Sequence, residues 1–222
     1  VPSLLGIVAF LGTASTPAVA ADLSYARDGS GVYGYKDTPK LPWCDYLVHD
    51  CDRPAPKRID TGKAGPPQAP PSDAIVLFDG TEASLKHWTS GGGKPTTWIL
   101  VDGALESVKG GGYAQSVDEF GSCRLHIEFA TPAKPEGSGQ GRGNSGVFLM
   151  GEYEVQVLDS YENITYPDGQ CGALYGRSKP LVNASRKPGE WQTYDITFHR
   201  PLFDESGKVV RKAKVHVVHN GW

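Results

Sequence analysis

The chain has 222 residues, which is enough for one substantial domain and a smaller appendage. Its 22 lysines and arginines against 25 aspartates and glutamates leave a net charge of −3, which gives no electrostatic basis for binding nucleic acid or an anionic membrane. The sequence contains 28 glycines, 17 prolines and a single methionine. This composition is rich in turn-forming residues and is more typical of a β protein than of a helical one.

Residues 1–21 have the features of an export signal. The apolar run "VPSLLGIVAFLG" is too short to span a bilayer, and the small residues Ala18 and Ala20 follow it where a signal peptidase would cleave. No Met or basic segment precedes the run, so we expect a signal peptide that is clipped at its start. The alternative is a buried apolar strand. Export predicts a secreted or periplasmic bacterial protein that begins near Ala21 or Asp22 and has no membrane span when mature.

Residues 22–73 predict an irregular extension rich in Pro, Gly and Asp. It ends in a Pro-rich linker, Gly62 to Ser72, and we expect Trp43, Tyr46 and Leu47 to attach it to the domain surface.

The four cysteines fit an exported protein but are too few for a disulfide scaffold. Cys44 and Cys51 are close enough to close a small loop, while Cys123 and Cys171 lie in the main domain. Three pairings are possible, and the sequence does not choose between them. No metal-ligand spacing accompanies the cysteines, so no metal site is predicted from them.

Residues 74–222 predict an antiparallel β domain. Short apolar or alternating segments follow one another with turns between them, among them "AIVLF", "TTWILV", "SCRLHIEFAT", "YEVQVLD" and "WQTYDITFHR". This pattern is typical of a sandwich or a barrel. The chain stops at "VVHNGW", directly after an Asn-Gly turn where a return strand is expected, so we expect the domain to be incomplete at this end.

Polar side chains alternate with the apolar ones on two of these strands. If Leu125 and Ile127 face the core, His126 and Glu128 face away from it, and by the same parity Glu154 and Gln156 face away from the valines beside them. Such groups suit sugar binding and acid–base chemistry. The alternative is an ordinary solvated face of an antiparallel sheet.

The glycine-rich segment "EGSGQGRGNSG" precedes the second of these strands. Its glycines permit close approach of backbone to a ligand, and Arg142 and Asn144 within it fit a clamp on a sugar hydroxyl or keto oxygen. No nucleotide-binding pattern is present. The alternative is a flexible hairpin tip.

The motifs together resemble the 3-keto-disaccharide hydrolase family. The resemblance rests on "LFDGTEASLKHW", "WILVDGAL", "HIEF", "GRGNSGVFLMGEYEVQVLDSY", "GALYG", "KPGEWQTYDITFHRP" and "VHNG", which occur in family order from about Ala74 to the last residue. It implies an all-β, concanavalin A-like lectin/glucanase sandwich. It also implies an enzyme that cleaves 3-keto-glycosides, by hydrolysis or by elimination and hydration.

Parity and resemblance together predict the site residues. Glu154 is predicted as catalytic base or acid, with Glu128 as its partner and His219 as a further candidate, although His219 shares the parity of the inward-facing valines. The predicted substrate-binding residues are Gln156, Asn144, Arg142, Tyr175 and His126. Asp159 is expected to order the loop after its strand.

No cofactor is predicted, although the sequence leaves open a divalent metal, and the expected partner is a small 3-keto sugar. The competing function is a non-catalytic carbohydrate-binding module, because the same sandwich also serves lectins. An ordinary glucanase ranks last, since Gln156 stands where its E-x-D-x-x-E pattern requires a carboxylate.

Overall fold

The computed structural model describes residues 3–5 and 22–222. The predicted cleavage region around Ala18 and Ala20 therefore lies outside the described residues, and export stays a prediction. No helix among the described residues is long and apolar enough to cross a membrane.

The described residues form short strands and three short 3₁₀ helices, and they contain no α-helix. The all-β prediction is confirmed. The 3₁₀ helices are Glu82–His87, Gly139–Gly141 and Pro167–Gly169. The strands are β1 Ser3–Leu5, β2 Leu23–Tyr25, β3 Tyr33–Tyr35, β4 Lys57–Arg58, β5 Ile75–Val76, β6 Trp88–Thr89, β7 Ile99–Val101, β8 Ala104–Glu106, β9 Gln115–Ser116, β10 Cys123–Phe129, β11 Ser145–Leu149, β12 Tyr153–Val157, β13 Val182–Asn183, β14 Gln192–His199, β15 Leu202–Phe203, β16 Val209–Arg211 and β17 Lys214–His219.

The chain divides into two compact units. The first contains Gly65–Phe129 and Thr193–Gly221, together with β1. The second contains residues 22–64 and Ala130–Gln192. The segment predicted as an extension therefore belongs to the same unit as β11 and β12.

The first unit is organised around a five-stranded sheet in the order β17-β14-β10-β1-β5. Exposure alternates along β10 and β14 with the period of two that a half-buried strand requires. The side chains that face the core include Ile127 and Ile196, each 1% exposed, and Phe129 packs on Tyr194 with ring centroids 4.7 Å apart. Burying each such side chain contributes roughly 1.5–3 kcal/mol.

The second unit is centred on the β11–β12 hairpin. Strand β12 is bonded on both edges, because it pairs with β11 and also exchanges backbone hydrogen bonds with the segment 172–175. The N–H of Gln156 donates to the carbonyl of Ala173 at 2.9 Å, and the N–H of Tyr175 donates to the carbonyl of Glu154 at 3.0 Å. These bonds fix the backbone of Glu154 and Gln156.

The segment 22–64 contributes the β2–β3 hairpin and β4, which pairs in parallel with β13. Gly34 in β3 lies so close to the 49–51 backbone that a Cβ there would be 2.0 Å from the carbonyl oxygen of His49. The predicted anchoring role of Trp43 is wrong, since Trp43 is 54% exposed. Aromatic contacts of Tyr33, Tyr35 and His49 with Tyr166 join this segment to the rest of the unit instead.

Candidate active site

Glu154 lies half-buried on β12, and a glycine makes room for its carboxyl group. A Cβ at Gly146, on the neighbouring β11, would lie 2.3 Å from Glu154 Oε1. Burial raises the pKa of Glu154 to about 7. The carboxyl group can therefore both accept and release a proton near neutral pH, as general acid–base chemistry requires.

A cluster of side-chain amides adjoins Glu154. Gln156 is fully buried, although parity had placed it only on a face away from the valines. In one orientation its amide donates to Gln140 Oε1 at 3.0 Å, and in the other it donates to Glu154 Oε1 at 3.1 Å. Asn144 Nδ2 donates to the carbonyl of Gln140 at 2.8 Å, and its Oδ1 lies 3.4 Å from Gln156 Nε2. Glu154 is thus held beside groups that can bind sugar oxygens.

Two phenols complete this cluster. The hydroxyls of Tyr166 and Tyr175 are 2.7 Å apart and share a hydrogen bond. Burial raises the pKa of Tyr166 and of Tyr175, and the charges of Glu154 and Asp168 raise that of Tyr175 further, against the lowering effect of its bond to Tyr166. Both phenols therefore keep their protons near neutral pH, and in the bond between them one hydroxyl donates and the other accepts. We refer to Glu154, Gln156, Gln140, Asn144 and Tyr175 as the Glu154 site.

A buried carboxylate and a histidine lie next to the two phenols. Asp168 is 0% exposed and accepts two hydrogen bonds from His49, from the backbone N–H at 3.0 Å and from Nδ1 at 3.2 Å. Arg53 Nη1 lies 3.8 Å from Asp168 Oδ2 and offsets its charge. The His49 ring packs against the Tyr166 ring with centroids 4.1 Å apart.

Arg142 is occupied within the loop rather than extended towards Glu154. Its Nη2 donates to Asp159 Oδ1 at 3.0 Å and to the carbonyl of Tyr161, and its Nε lies 2.8 Å from Asp159 Oδ2. Asp159 also accepts the N–H of Tyr161 at 3.2 Å. Asp159 orders the loop after β12, the role that parity indicated, and Arg142 is its ion-pair partner.

The predicted residues His126 and Glu128 lie in the first unit, in a different cluster. His126 Nδ1 is 2.7 Å from Asp195 Oδ1, and its Nε2 is 3.6 Å from Glu128 Oε1. Glu128 also accepts the backbone N–H of Gln68 at 3.0 Å. A cleft of about 340 Å³ adjoins this cluster, and its lining includes His126, Asp195 and the linker residue Pro70.

His219 is packed as a core residue of the first unit. It is 5% exposed and packs beside the rings of Phe129 and Tyr194, with centroids 6.0 Å and 4.9 Å away. This is the position that its parity with the valines of β17 indicated.

The cysteines and the possible metal ligands add no further chemistry to the Glu154 site. Cys44, Cys51 and Cys123 carry free thiols, and Cys171 is buried. Within the described part of the chain, one group of three candidate metal ligands lies together, Asp50, Cys51 and Asp52. The carboxylate of Asp50 accepts backbone N–H groups within this turn, and that of Asp52 pairs with Arg27 at 2.9 Å.

The fold and one similar solved structure indicate the class of protein. A solved structure from Parabacteroides distasonis ATCC 8503, named as a "putative glycosyl hydrolase", is similar to this chain with a TM-score of 0.66 and 47% sequence identity. The match covers 68% of this chain and 64% of that one. Together with the all-β structure, this similarity supports the predicted concanavalin A-like sandwich.

The family follows from the sequence of the same region. The profile of the 3-keto-alpha-glucoside-1,2-lyase-like domain matches residues 73–222, and the chain belongs to this family. The resemblance seen in its motifs is therefore confirmed. No curated protein matches the chain.

Sequence reasoning did not find His49, Asp168, Tyr166 or Gln140. Asp168 stands in "YPDGQ", which is typical of a turn, and His49 stands in a segment whose composition predicts an irregular extension. The one signal that could have found His49 is the density of aromatic side chains in that segment, since Tyr33, Tyr35, Tyr46 and His49 occur within a stretch otherwise rich in Pro, Gly and Asp.

Proposed function

We propose that this protein is an exported, glycoside-cleaving enzyme that acts on 3-keto-glycosides, with Glu154 as its general base. The observation that carries the proposal is the placement of a half-buried carboxyl group among amides and phenols, in a chain of the 3-keto-alpha-glucoside-1,2-lyase-like family. The similar structure from Parabacteroides distasonis, named a "putative glycosyl hydrolase", supports the glycoside-cleaving part of this proposal.

The chemistry begins at the carbon next to the ketone. A ketone at C3 makes the C2 proton acidic, and Glu154 removes that proton while the electron pair moves onto the keto oxygen as an enolate. When the ketone re-forms, a double bond forms between C1 and C2, the C1–O bond breaks, and its electrons leave with the aglycone oxygen, which takes a proton. Water then adds its oxygen to C1 and a proton returns to C2, so that the overall result is hydrolysis.

The neighbouring groups suit the enolate. A developing oxyanion is stabilised by hydrogen-bond donors that are held in place before the reaction. The neutral phenol of Tyr175 and the amide of the exposed Asn144 are such donors, and they are held by Tyr166 and Gln140. Gln156 is fully buried and positions Gln140 or the Glu154 carboxyl group instead. A base with a pKa near 7 also suits proton transfer at neutral pH.

A pair of substrates tests the proposal. The wild-type protein is expected to release the aglycone from a 3-keto-glucoside and to leave the corresponding glucoside, which has a hydroxyl at C3, intact. Glu154→Gln is expected to reduce kcat/KM by about 10²–10⁴-fold, the usual contribution of a general base. Glu152→Gln, an exposed carboxylate two residues earlier, is the matched control and is expected to retain activity.

Two results would count against the proposal. Cleavage of both glucosides at similar rates would indicate an ordinary glycosidase that does not need the ketone. Binding of a sugar without turnover of any 3-keto substrate, and without effect of Glu154→Gln, would indicate a carbohydrate-binding module.

A further inference from the structure

His49 is held in a fixed orientation by a buried carboxylate. The Asp168 side chain is 0% exposed, and it accepts both the backbone N–H and Nδ1 of His49. A carboxylate at Nδ1 keeps a proton on that nitrogen and leaves Nε2 as the atom that exchanges protons. The imidazole is 14% exposed, so it lies at the edge of the packed interior.

The backbone of His49 is also unusual. Its φ is 58°, in the left-handed region that non-glycine residues seldom adopt. The residue is nevertheless held there by its two bonds to Asp168 and by the N–H of Tyr35, which donates to its carbonyl at 3.0 Å. Four hydrogen-bonding or aromatic neighbours face it, Asp168, Tyr35, Tyr166 and Tyr175, and Arg53 lies on Asp168 beyond them.

The imidazole borders the segment that is bonded to Glu154. Its ring centroid is 4.9 Å from that of Tyr175, and a Cβ at Gly176 would lie 3.9 Å from His49 Nε2. Tyr175 in turn donates its backbone N–H to Glu154 and shares its electrostatic environment with Glu154 and Asp168. The His49 ring and Glu154 are thus both neighbours of Tyr175.

We propose that His49, oriented by Asp168, is the general acid of the reaction, an inference that rests on the proposed function. As the C1–O bond breaks, the aglycone oxygen takes the Nε2 proton of the imidazolium, and His49 becomes neutral. In the hydration step, neutral His49 takes a proton from the water whose oxygen bonds to C1, and the proton held by Glu154 returns to C2. The two residues end in the states in which they began.

Two substrates that differ in leaving group test this role. His49→Asn retains an N–H at the position of Nδ1, which can still donate to Asp168, and removes Nε2. Because a methoxide leaving group needs a proton and 4-nitrophenolate does not, kcat/KM for methyl 3-keto-glucoside is expected to fall by at least about 10²-fold. For 4-nitrophenyl 3-keto-glucoside a loss of less than about tenfold is expected. His199→Asn, an exposed histidine on β14, is the control and is expected to act like wild type.

The outcomes separate this inference from the proposed function. If wild type cleaves neither substrate, the proposed function and the role of His49 fall together. The role of His49 alone is overturned by a different result. In that case wild type is active, Glu154→Gln is inactive, and His49→Asn loses activity equally on both substrates or on neither.

A measurement on the wild-type protein covers the case in which His49→Asn does not fold. In ¹⁵N-histidine NMR spectra, neutral His49 is expected to carry its proton on Nδ1, and its Nε2 resonance is expected to shift when 3-keto-glucose is added. A proton on Nε2, or an unshifted resonance at saturating sugar, would overturn the inference.

Discussion

Gly146 determines where the Glu154 carboxyl group can lie. A Cβ at this position would be 2.3 Å from Glu154 Oε1 and 2.8 Å from its Cγ, so Gly146→Ala must displace the side chain. Glu154 is flexible enough to move, and we expect little change in thermal stability. A base displaced by about 1 Å can lose on the order of 10²-fold in rate, and we expect kcat/KM on the 3-keto-glucoside to fall accordingly.

Gly65→Ala is the control for this substitution, because a Cβ there would meet nothing within 4 Å. Wild-type kcat/KM in Gly146→Ala would show that the carboxyl group does not need the position in which the structure places it.

The raised pKa of Glu154 also predicts how stability depends on pH. Below about pH 4.5 the residue is protonated in both the folded and the unfolded chain, and above about pH 7 it is ionised in both. Between these values the folded chain retains the proton that the unfolded chain has lost, so the folded state loses stability as pH rises. Glu154→Gln cannot titrate, and its unfolding free energy relative to wild type should therefore increase from pH 4.5 to pH 7.

Chemical denaturation at several pH values measures this difference. The same comparison for the exposed Glu152→Gln should be independent of pH over that window. A flat difference for Glu154→Gln would mean that Glu154 titrates in the folded protein as it does in the unfolded one.

At the residue scale, the sequence predicted which side chains point away from the core face of a strand. It did not predict which other residues pack over those side chains. Alternation correctly predicted the buried Ile127 and Phe129 and the partly accessible Glu154. It did not predict that Gln156 is fully buried, because its partner Gln140 comes from an earlier loop and is itself held by Thr165 and Gly169 of a later one. The same parity argument was sufficient for His219, whose core position it indicated.

At the element scale, β3 and the 49–51 segment depend on close backbone contact. A side chain at Gly34 would collide with the carbonyl of His49 and the N–H of Cys51, and neither backbone atom can move aside cheaply. We expect Gly34→Ala to lower the unfolding free energy by about 1–3 kcal/mol, the range for overpacked positions. It should also lower kcat/KM, because His49 is displaced.

Thermal and urea unfolding of Gly34→Ala, compared with Gly65→Ala, test this expectation. Unchanged stability would show that β3 does not pack on the His49 backbone as described.

The elements themselves were largely predictable, since the main strands of residues 74–222 carry alternation or short apolar runs that depend only on local sequence. The segment 22–64 was not, because β2, β3 and β4 are only two or three residues long and have no periodicity to detect. Its contribution to the second unit depends on contacts with residues more than a hundred positions away, such as His49 with Asp168.

At the scale of the whole molecule, residues 22–64 lie outside the matched family region, yet they supply side chains to the unit that contains Glu154. A chain without residues 22–64 loses the partners of Asp168 and the aromatic contacts of Tyr33 and Tyr35 with Tyr166. We expect its Tm to fall by at least about 5 °C, which corresponds to a few kcal/mol for a chain of this size.

The comparison is with the parent chain, which differs only in retaining residues 22–64. Equal Tm values for the two chains would contradict a structural role for residues 22–64.

The central claim, that Glu154 removes the proton at C2 of a 3-keto sugar, is tested most directly by hydrogen exchange. A 3-keto-glucoside is incubated in D₂O with wild type, Glu154→Gln or the control Glu152→Gln, and deuterium at C2 is measured by NMR and mass spectrometry. We predict incorporation at C2 with wild type and Glu152→Gln, and loss of incorporation by about 10²-fold or more with Glu154→Gln. Undiminished exchange in Glu154→Gln would contradict the account.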